Sequence, residues 1–400
     1  MSRRNVRISI FAIACCFVAV GAFAITAPQS IANSVYAHLP NDWAIEKPQS
    51  LVTLTDTMPQ GAAASSDGRT LAVIESGFNP PTLRLYGSSD LNQLASIPLP
   101  GAFGRPVWID ASHVLVAGAN ADALFEVDVA RQAVRRIAMP KGSYPTAVAM
   151  SRGTFAAATD GDFSVRIGSL DAVSSATPVK IGGHIGGLAF APDGKTLFAS
   201  NRSSRYVEYV DPHTLTTRKI TTALHPSDVL PIGSAVYVAE TDADSVGMYD
   251  GSTGRRLASI FVGDSSPRRF AGVSPNALAW RGDSLFVSLG AANSIAIVRN
   301  RRLVGRIPAG WYPIDVVPLG GRLYIVNGKG EGTRPNPYFN ARDSKSNYDY
   351  VASIQYGSIR IVDLSRPTAP GNPQGATGWQ AVGPSPMLRP GGPIRPFSSF

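Results

Sequence analysis

Four hundred residues with 39 glycines, 31 prolines and only 16% charged side chains suit many short strands joined by turns, and exclude an architecture of long charged helices. The formal charge of +9 is scattered without long basic runs, which points to anionic small ligands or cell-envelope surfaces and away from nucleic acid.

The chain opens on Arg3, Arg4 and Arg7, continues through an apolar run over 8–20 and reaches Ala22-Phe23-Ala24. Basic, apolar and small-x-small segments in that order predict a signal peptide, residues 1–24, cut after Ala24. A membrane anchor stays open as the competing reading, because the run is near the lower limit for spanning a bilayer. Both cysteines, Cys15 and Cys16, lie in this leader, so the expected mature chain has no disulfide, thiolate nucleophile or Cys-ligated metal. Loss of the three leader arginines leaves a mature charge of +6, and localisation is expected to be periplasmic or secreted.

Residues 25–44 form a lead-in, and a unit of about forty residues then repeats over 45–366. Its clearest copy is Gly187-Leu-Ala-Phe-Ala-Pro-Asp-Gly-Lys-Thr-Leu-Phe-Ala-Ser-Asn201, followed by Tyr206-Val-Glu-Tyr-Val-Asp211. Alternating apolar residues give the strands, and Asp-Gly gives the hairpin between the first two. Seven copies open their first strands at Gly61, Pro106, Pro145, Gly186, Pro226, Pro275 and Pro313. The second strands are expected over 71–75, 114–118, 155–159, 197–201, 236–240, 285–289 and 323–327. Third strands fall over 83–86, 124–128, 164–168, 206–211, 245–250, 294–298 and 357–363. Four-stranded units at this period predict an all-β fold, a seven-bladed β-propeller, with 50–55 completing the last blade and closing the ring. An insertion over 328–356 interrupts blade seven. The tail, 367–400, has 8 prolines and 6 glycines in 34 positions, the composition of an extended linker.

The segments 62–72, 187–201 and 314–327 resemble the YVTN family of β-propeller repeats. More narrowly, Ser274-Pro-Asn-Ala-Leu-Ala279, Gly310-Trp-Tyr-Pro313, Asn327-Gly-Lys-Gly330 and Arg334-Pro-Asn-Pro337 resemble the propeller half of bacterial proteins that fuse such a propeller to a phosphoesterase of the alkaline-phosphatase type. In those fusions the phosphoesterase begins soon after a stretch like Gly391-Gly-Pro-Ile-Arg395. Here five residues follow, and no run of Asp, His, Ser or Thr suits a two-metal hydrolytic centre. The resemblance thus implies a propeller without its enzyme: a stand-alone form, a truncated frame, or the accessory of a separately encoded phosphoesterase.

The five histidines show no metal-ligand spacing, and Gly328-Lys-Gly-Glu-Gly332 is not a phosphate loop because Pro335 and Pro337 forbid the helix that should follow. In a propeller the first strands begin, and the second strands end, on one face. That face is expected to present Arg105, Tyr144, His225, Trp311 and Tyr312, with Arg268, Arg269, Asn327, Lys329 and Arg334 beside them. Aromatic platforms next to Arg and Lys suit a ligand with carboxylate, phosphate or sugar groups, or an acidic partner surface. The leading expectation is a non-enzymatic binding or scaffolding propeller without a cofactor, the partner being a protein or an anionic small molecule. The alternative is a lactonase-like hydrolase whose divalent cation would sit among Glu75, Asn201, Glu240 and Asn327, oxygen donors as a hard cation prefers.

Overall fold

Alternating side chains decide which strands sit inside. The second strand of blade five, Ala235–Glu240, is buried throughout, whereas the fourth strand of blade two, Ala133–Ala138, is almost wholly exposed. A strand buried on both faces needs a neighbour on each side, and a ring of sheets supplies them. The computed structural model describes residues 35–38, 43–46, 51–263, 272–330, 355–365 and 379–381. Residues 51–365 contain seven four-stranded antiparallel sheets, the blades of a propeller. Their inner strands are Pro59–Ala64, Phe103–Trp108, Pro145–Ser151, Ile185–Phe190, Pro226–Ile232, Pro275–Arg281 and Pro313–Leu319. Leu51–Leu54 pairs with Ser358–Asp363 as the outer strand of blade seven, so the first strand of the ring completes the last blade. Separately, Val35–His38, Trp43–Glu46 and Trp379–Ala381 form a three-stranded sheet, so the proline-rich tail carries one short strand.

Seven apolar clusters lie between the blades, one in each interface. Leu83, Val114 and Phe125 join blades one and two, and Ala62, Tyr86, Tyr324 and Ile359 join blade seven to blade one. Burial of about 25 cal/mol per Å² of apolar surface at each interface supplies the main stabilisation. The hairpins from first to second strand carry Gly68 and Gly194 at φ 71° and 73°, a left-handed geometry that glycine adopts without strain.

The blades are also latched on one side of the ring, the upper face, where first strands begin. Asp122, Asp244 and Asn293 sit in left-handed backbone before their third strands. Their side chains accept from the backbone N–H of Tyr144, Ser274 and Tyr312, the residue before the opening proline of the next blade. Those three residues are left-handed as well, with φ near 50°.

Expected and observed strands agree within about two residues in the second and third strands. Blades one and two depart more at their openings, which lie at Pro59 and Phe103 instead of Gly61 and Pro106. The blade-two shift has a cause: a β-bulge between Phe103 and Val107 absorbs the extra residues and puts Arg105 inside the strand.

Candidate functional site

Every inner strand carries a bulge or register shift near its upper end. Bulges re-aim side chains, and these turn one tier of residues toward the ring axis. Going round the ring, the tier reads Gly61, Arg105, Ala147, Gly187, Asp228, Ala277 and Asp315. Small residues at four positions leave room for one long side chain. Gly61 is obligatory, since a Cβ there would lie 2.8 Å from the Arg105 Cα.

Arg105 uses that room to bridge three blades. Its Nε donates to Asp315 Oδ2 at 2.9 Å and its Nη2 to Asp315 Oδ1 at 2.7 Å, with Asp228 Oδ2 at 3.5 Å from the same Nη2. Asp315 also accepts from the backbone N–H of Ala62 and Val316, and Asp228 from Leu278 and Val229. Both carboxylates are buried, while the Arg105 side chain is 41% exposed and lines the channel cavity. Burial disfavours the Arg105 cation, but Asp315 and then Asp228 outweigh it and hold the guanidinium firmly protonated. Burial raises the Asp228 carboxyl above its ordinary range, with Arg105 and the Leu278 N–H opposing. Around this tier lies a cavity of about 650 Å³, walled mainly by the inner strands of blades two to five and reaching Gln60, Arg202, Asn276 and Asp315.

The structure therefore moves Arg105 from the expected rim position into the channel. Tyr144, His225 and Tyr312 do lie on the upper face, exposed and in left-handed backbone. Tyr312 has Lys329 Nζ 5.2 Å from its ring centre. Trp311 is half-buried, with no hydrogen-bond partner for its Nε1. Arg268, Arg269 and Arg334, and most of the blade-seven insertion, lie outside the described residues.

Of the four oxygen donors considered for a cation, each is engaged within its own blade or the adjoining loop. Glu75 accepts from Tyr86 Oη at 2.6 Å and the Asp56 N–H, with Arg84 at 3.4 Å. Glu240 has the equivalent set in Tyr249, Ser245, Arg256 and the Ala223 N–H. Asn201 accepts from the Ser203 N–H, and Asn327 donates to Ser358. These partner sets share no residue, and among the described residues no group of three or more His, Asp or Glu is placed to hold a metal.

Asp228 and Asp315 were missed in the sequence, although their signal was there. Pro226-Ser-Asp-Val and Pro313-Ile-Asp-Val put aspartate where Pro145-Thr-Ala-Val and Pro275-Asn-Ala-Leu have alanine. Two histidine–aspartate pairs on the upper face also went unnoticed. His184 Nδ1 lies 3.0 Å from Asp160, and His225 Nδ1 lies 2.5 Å from Asp242.

No family model matches this chain, and no curated protein matches it in sequence. Solved structures do. A virginiamycin B lyase from Staphylococcus aureus superposes with TM-score 0.60 at 11% identity, covering 78% of this chain and 98% of that one. A chain of the Kuenenia stuttgartiensis hydrazine synthase gives 0.58 at 16% identity, covering 70% and 94%. A chain of a mitotic checkpoint complex gives 0.60 at 13%, covering 84% and 99%. Identities this low establish likeness of fold, and enzymes and an assembly component share that fold. The chain is a seven-bladed β-propeller by architecture, and its function must be argued from its own residues.

Proposed function

We propose that this chain is an exported binding propeller that recognises a sugar-bearing or acidic polymer of the cell envelope through its upper face. One observation carries the reading: among the described residues, the seven exposed large aromatics, Phe78, Tyr144, Phe163, Tyr206, Phe261, Tyr312 and Tyr356, all occupy that face. They precede first strands, lie between second and third strands, open a third strand, or end a fourth. The rings stand singly among polar groups, as with Phe163 against His184 and Tyr206 near Lys219. Separate platforms flanked by hydrogen-bonding groups suit sugar rings and charged oxygens better than a continuous apolar partner.

Co-sedimentation with purified peptidoglycan tests the idea. Wild-type protein should pellet, and Tyr144→Ala/Phe163→Ala/Tyr312→Ala should remain in the supernatant; equal pelleting of the two removes the face from the mechanism. Export rests on the leader, and N-terminal sequencing of the protein from a periplasmic fraction should begin at Ile25. The YVTN-type likeness adds a separately encoded phosphoesterase as a protein partner, which co-expression and co-purification would test. A second, enzymatic reading is favoured by the two histidine–aspartate pairs. In each, an aspartate carboxylate lies within ion-pair distance of Nδ1, a placement that suits a histidine working through Nε2. Loss of a measured turnover in His184→Ala and His225→Ala, with polymer binding intact, would select it.

A further inference from the structure

The channel tier is asymmetric in charge and in hydrogen bonding. Arg105, Asp228 and Asp315 sum to one net negative charge, and Asp315 takes most of the guanidinium through its two-point contact. Asp228 receives only the 3.5 Å approach of Nη2, so the surplus charge resides there. Arg105 Nη1 makes no hydrogen bond within the described residues, although the side chain faces the cavity.

The second asymmetry concerns the residue that follows each opening proline. Ser227 and Asn276 both donate to the carbonyl of the next blade's opening residue, Pro275 and Pro313. Thr146 occupies the same position in blade three and lines the cavity. It is 7% exposed, and its hydroxyl has no partner. Buried hydroxyls are rarely left unpaired.

These groups surround one space. Thr146 adjoins the Arg105 strand, since a Cβ at Gly104 would meet the Thr146 carbonyl oxygen at 2.4 Å. Asp228 leans over Gly187 of blade four, where a Cβ would lie 2.6 Å from its Oδ1. The two glycines of blade four, Gly186 and Gly187, thus form a bare wall beside Asp228, whose Oδ2 lies 3.5 Å from Arg105 Nη2, and Thr146 lines the same cavity from blade three.

We propose that this cavity binds a small zwitterion with an ammonium beside a carboxylate, as in a free amino acid or short peptide. The ammonium pairs with Asp228, and the carboxylate accepts from Arg105 Nη1 and, once rotation about its Cα–Cβ bond brings it out of its buried position, from the Thr146 hydroxyl. Charge complementarity fixes the orientation, because the reverse placement sets carboxylate against carboxylate. The site is separate from the aromatic platforms.

Titration calorimetry on the full chain tests it with L-alanine and glycylglycine as probes, and with ethylamine and propionate as single-ended controls. The zwitterions should bind at least about tenfold more tightly than either control. Thr146→Val should weaken them several-fold, and Asp228→Asn should weaken them more than about tenfold. Circular dichroism separates lost binding from lost fold in the aspartate variant, and Thr146→Val perturbs no existing hydrogen bond. Zwitterions that bind no better than ethylamine, or a Thr146→Val protein that binds as wild type does, would overturn the assignment. Tyr144→Ala/Phe163→Ala/Tyr312→Ala should retain full zwitterion binding, so this site and the polymer face fail or succeed independently.

Discussion

Replacing Arg105 with methionine would keep the length of the side chain and remove the one cation that joins blades two, five and seven. Asp228 and Asp315 would each retain two backbone donors but lose their counter-charge. Breaking a buried pair by removing one partner typically costs 3–5 kcal/mol, because a buried charge is left uncompensated. The Arg105 side chain is 41% exposed, so screening lowers the expected cost to about 2–3 kcal/mol. For a ring of this size that is a fall in Tm of the order of 5 °C.

The pH dependence identifies the cause. Without Arg105, the Asp228 carboxyl loses the cation that opposes its desolvation and rises further above its ordinary value. The Asp228 penalty is then complete at neutral pH and disappears as pH falls through the raised value, since protonation removes the buried charge. Asp228 is already raised in the wild type, so the informative quantity is the difference in Tm between the two proteins. It should be largest near pH 7 and shrink as pH falls in circular-dichroism melts. Arg105→Met/Asp228→Asn/Asp315→Asn should recover part of the loss at neutral pH. A Tm difference that is flat across pH, or absent, would refute the buried-charge account.

Other groups give sharper single-site outcomes. Glu208 is buried, neither carboxylate oxygen has a hydrogen bond, and burial raises its pKa against the pull of Lys219 at 3.7 Å. Glu208→Met should therefore stabilise the protein at pH 7 by about 1 kcal/mol in denaturant melts, the gain fading as pH falls through the raised value. Tyr86→Phe and Tyr249→Phe each remove a hydroxyl donated to a buried glutamate, and each should cost about 1.5–3 kcal/mol by the same measurement. Asn293→Ala removes both a residue suited to left-handed backbone and the acceptor for the Tyr312 N–H, so a loss of about 1–2 kcal/mol is expected, with hydrogen exchange accelerated at Tyr312.

The ring was legible in the sequence because its signals are local and repeated. The second strand 197–201 and the third strand 245–250 were read to the residue, since burial on both faces and a defined turn before each leave little freedom. The outer fourth strands of blades one to six were not placed, whereas the one closing blade seven was expected over 50–55 and lies at Leu51–Leu54. Ala133–Ala138, as Ala-Val-Arg-Arg-Ile-Ala, faces water on most sides and carries no strict alternation. Arg105 was misplaced because Pro106 looked like the opening proline of its blade, whereas the bulge puts that role at Phe103. A bulge depends on how the strand meets its partner, and the residues do not announce it.

The channel tier was hidden for a different reason. Its three charged members are 87 to 210 residues apart in the chain, and each looks ordinary within its own repeat. Only the ring closure, with Leu51–Leu54 paired to Ser358–Asp363, brings position 315 of blade seven within reach of position 105 in blade two. Seven near-equivalent blades supply a symmetric scaffold that holds equivalent atoms at equal height, and burial between them fixes that height. Functional content then has to reside where the symmetry is broken. In this chain the breaks coincide at one level: one arginine, two aspartates, an unpartnered threonine and two glycines. The exposed aromatics surround the face on which that level opens. A change that restored symmetry there, such as Arg105→Ala with Asp228→Ala and Asp315→Ala, would leave the seven interface clusters untouched. It should yield a folded propeller that has lost its zwitterion site, which separates what the repeat does from what its exceptions do.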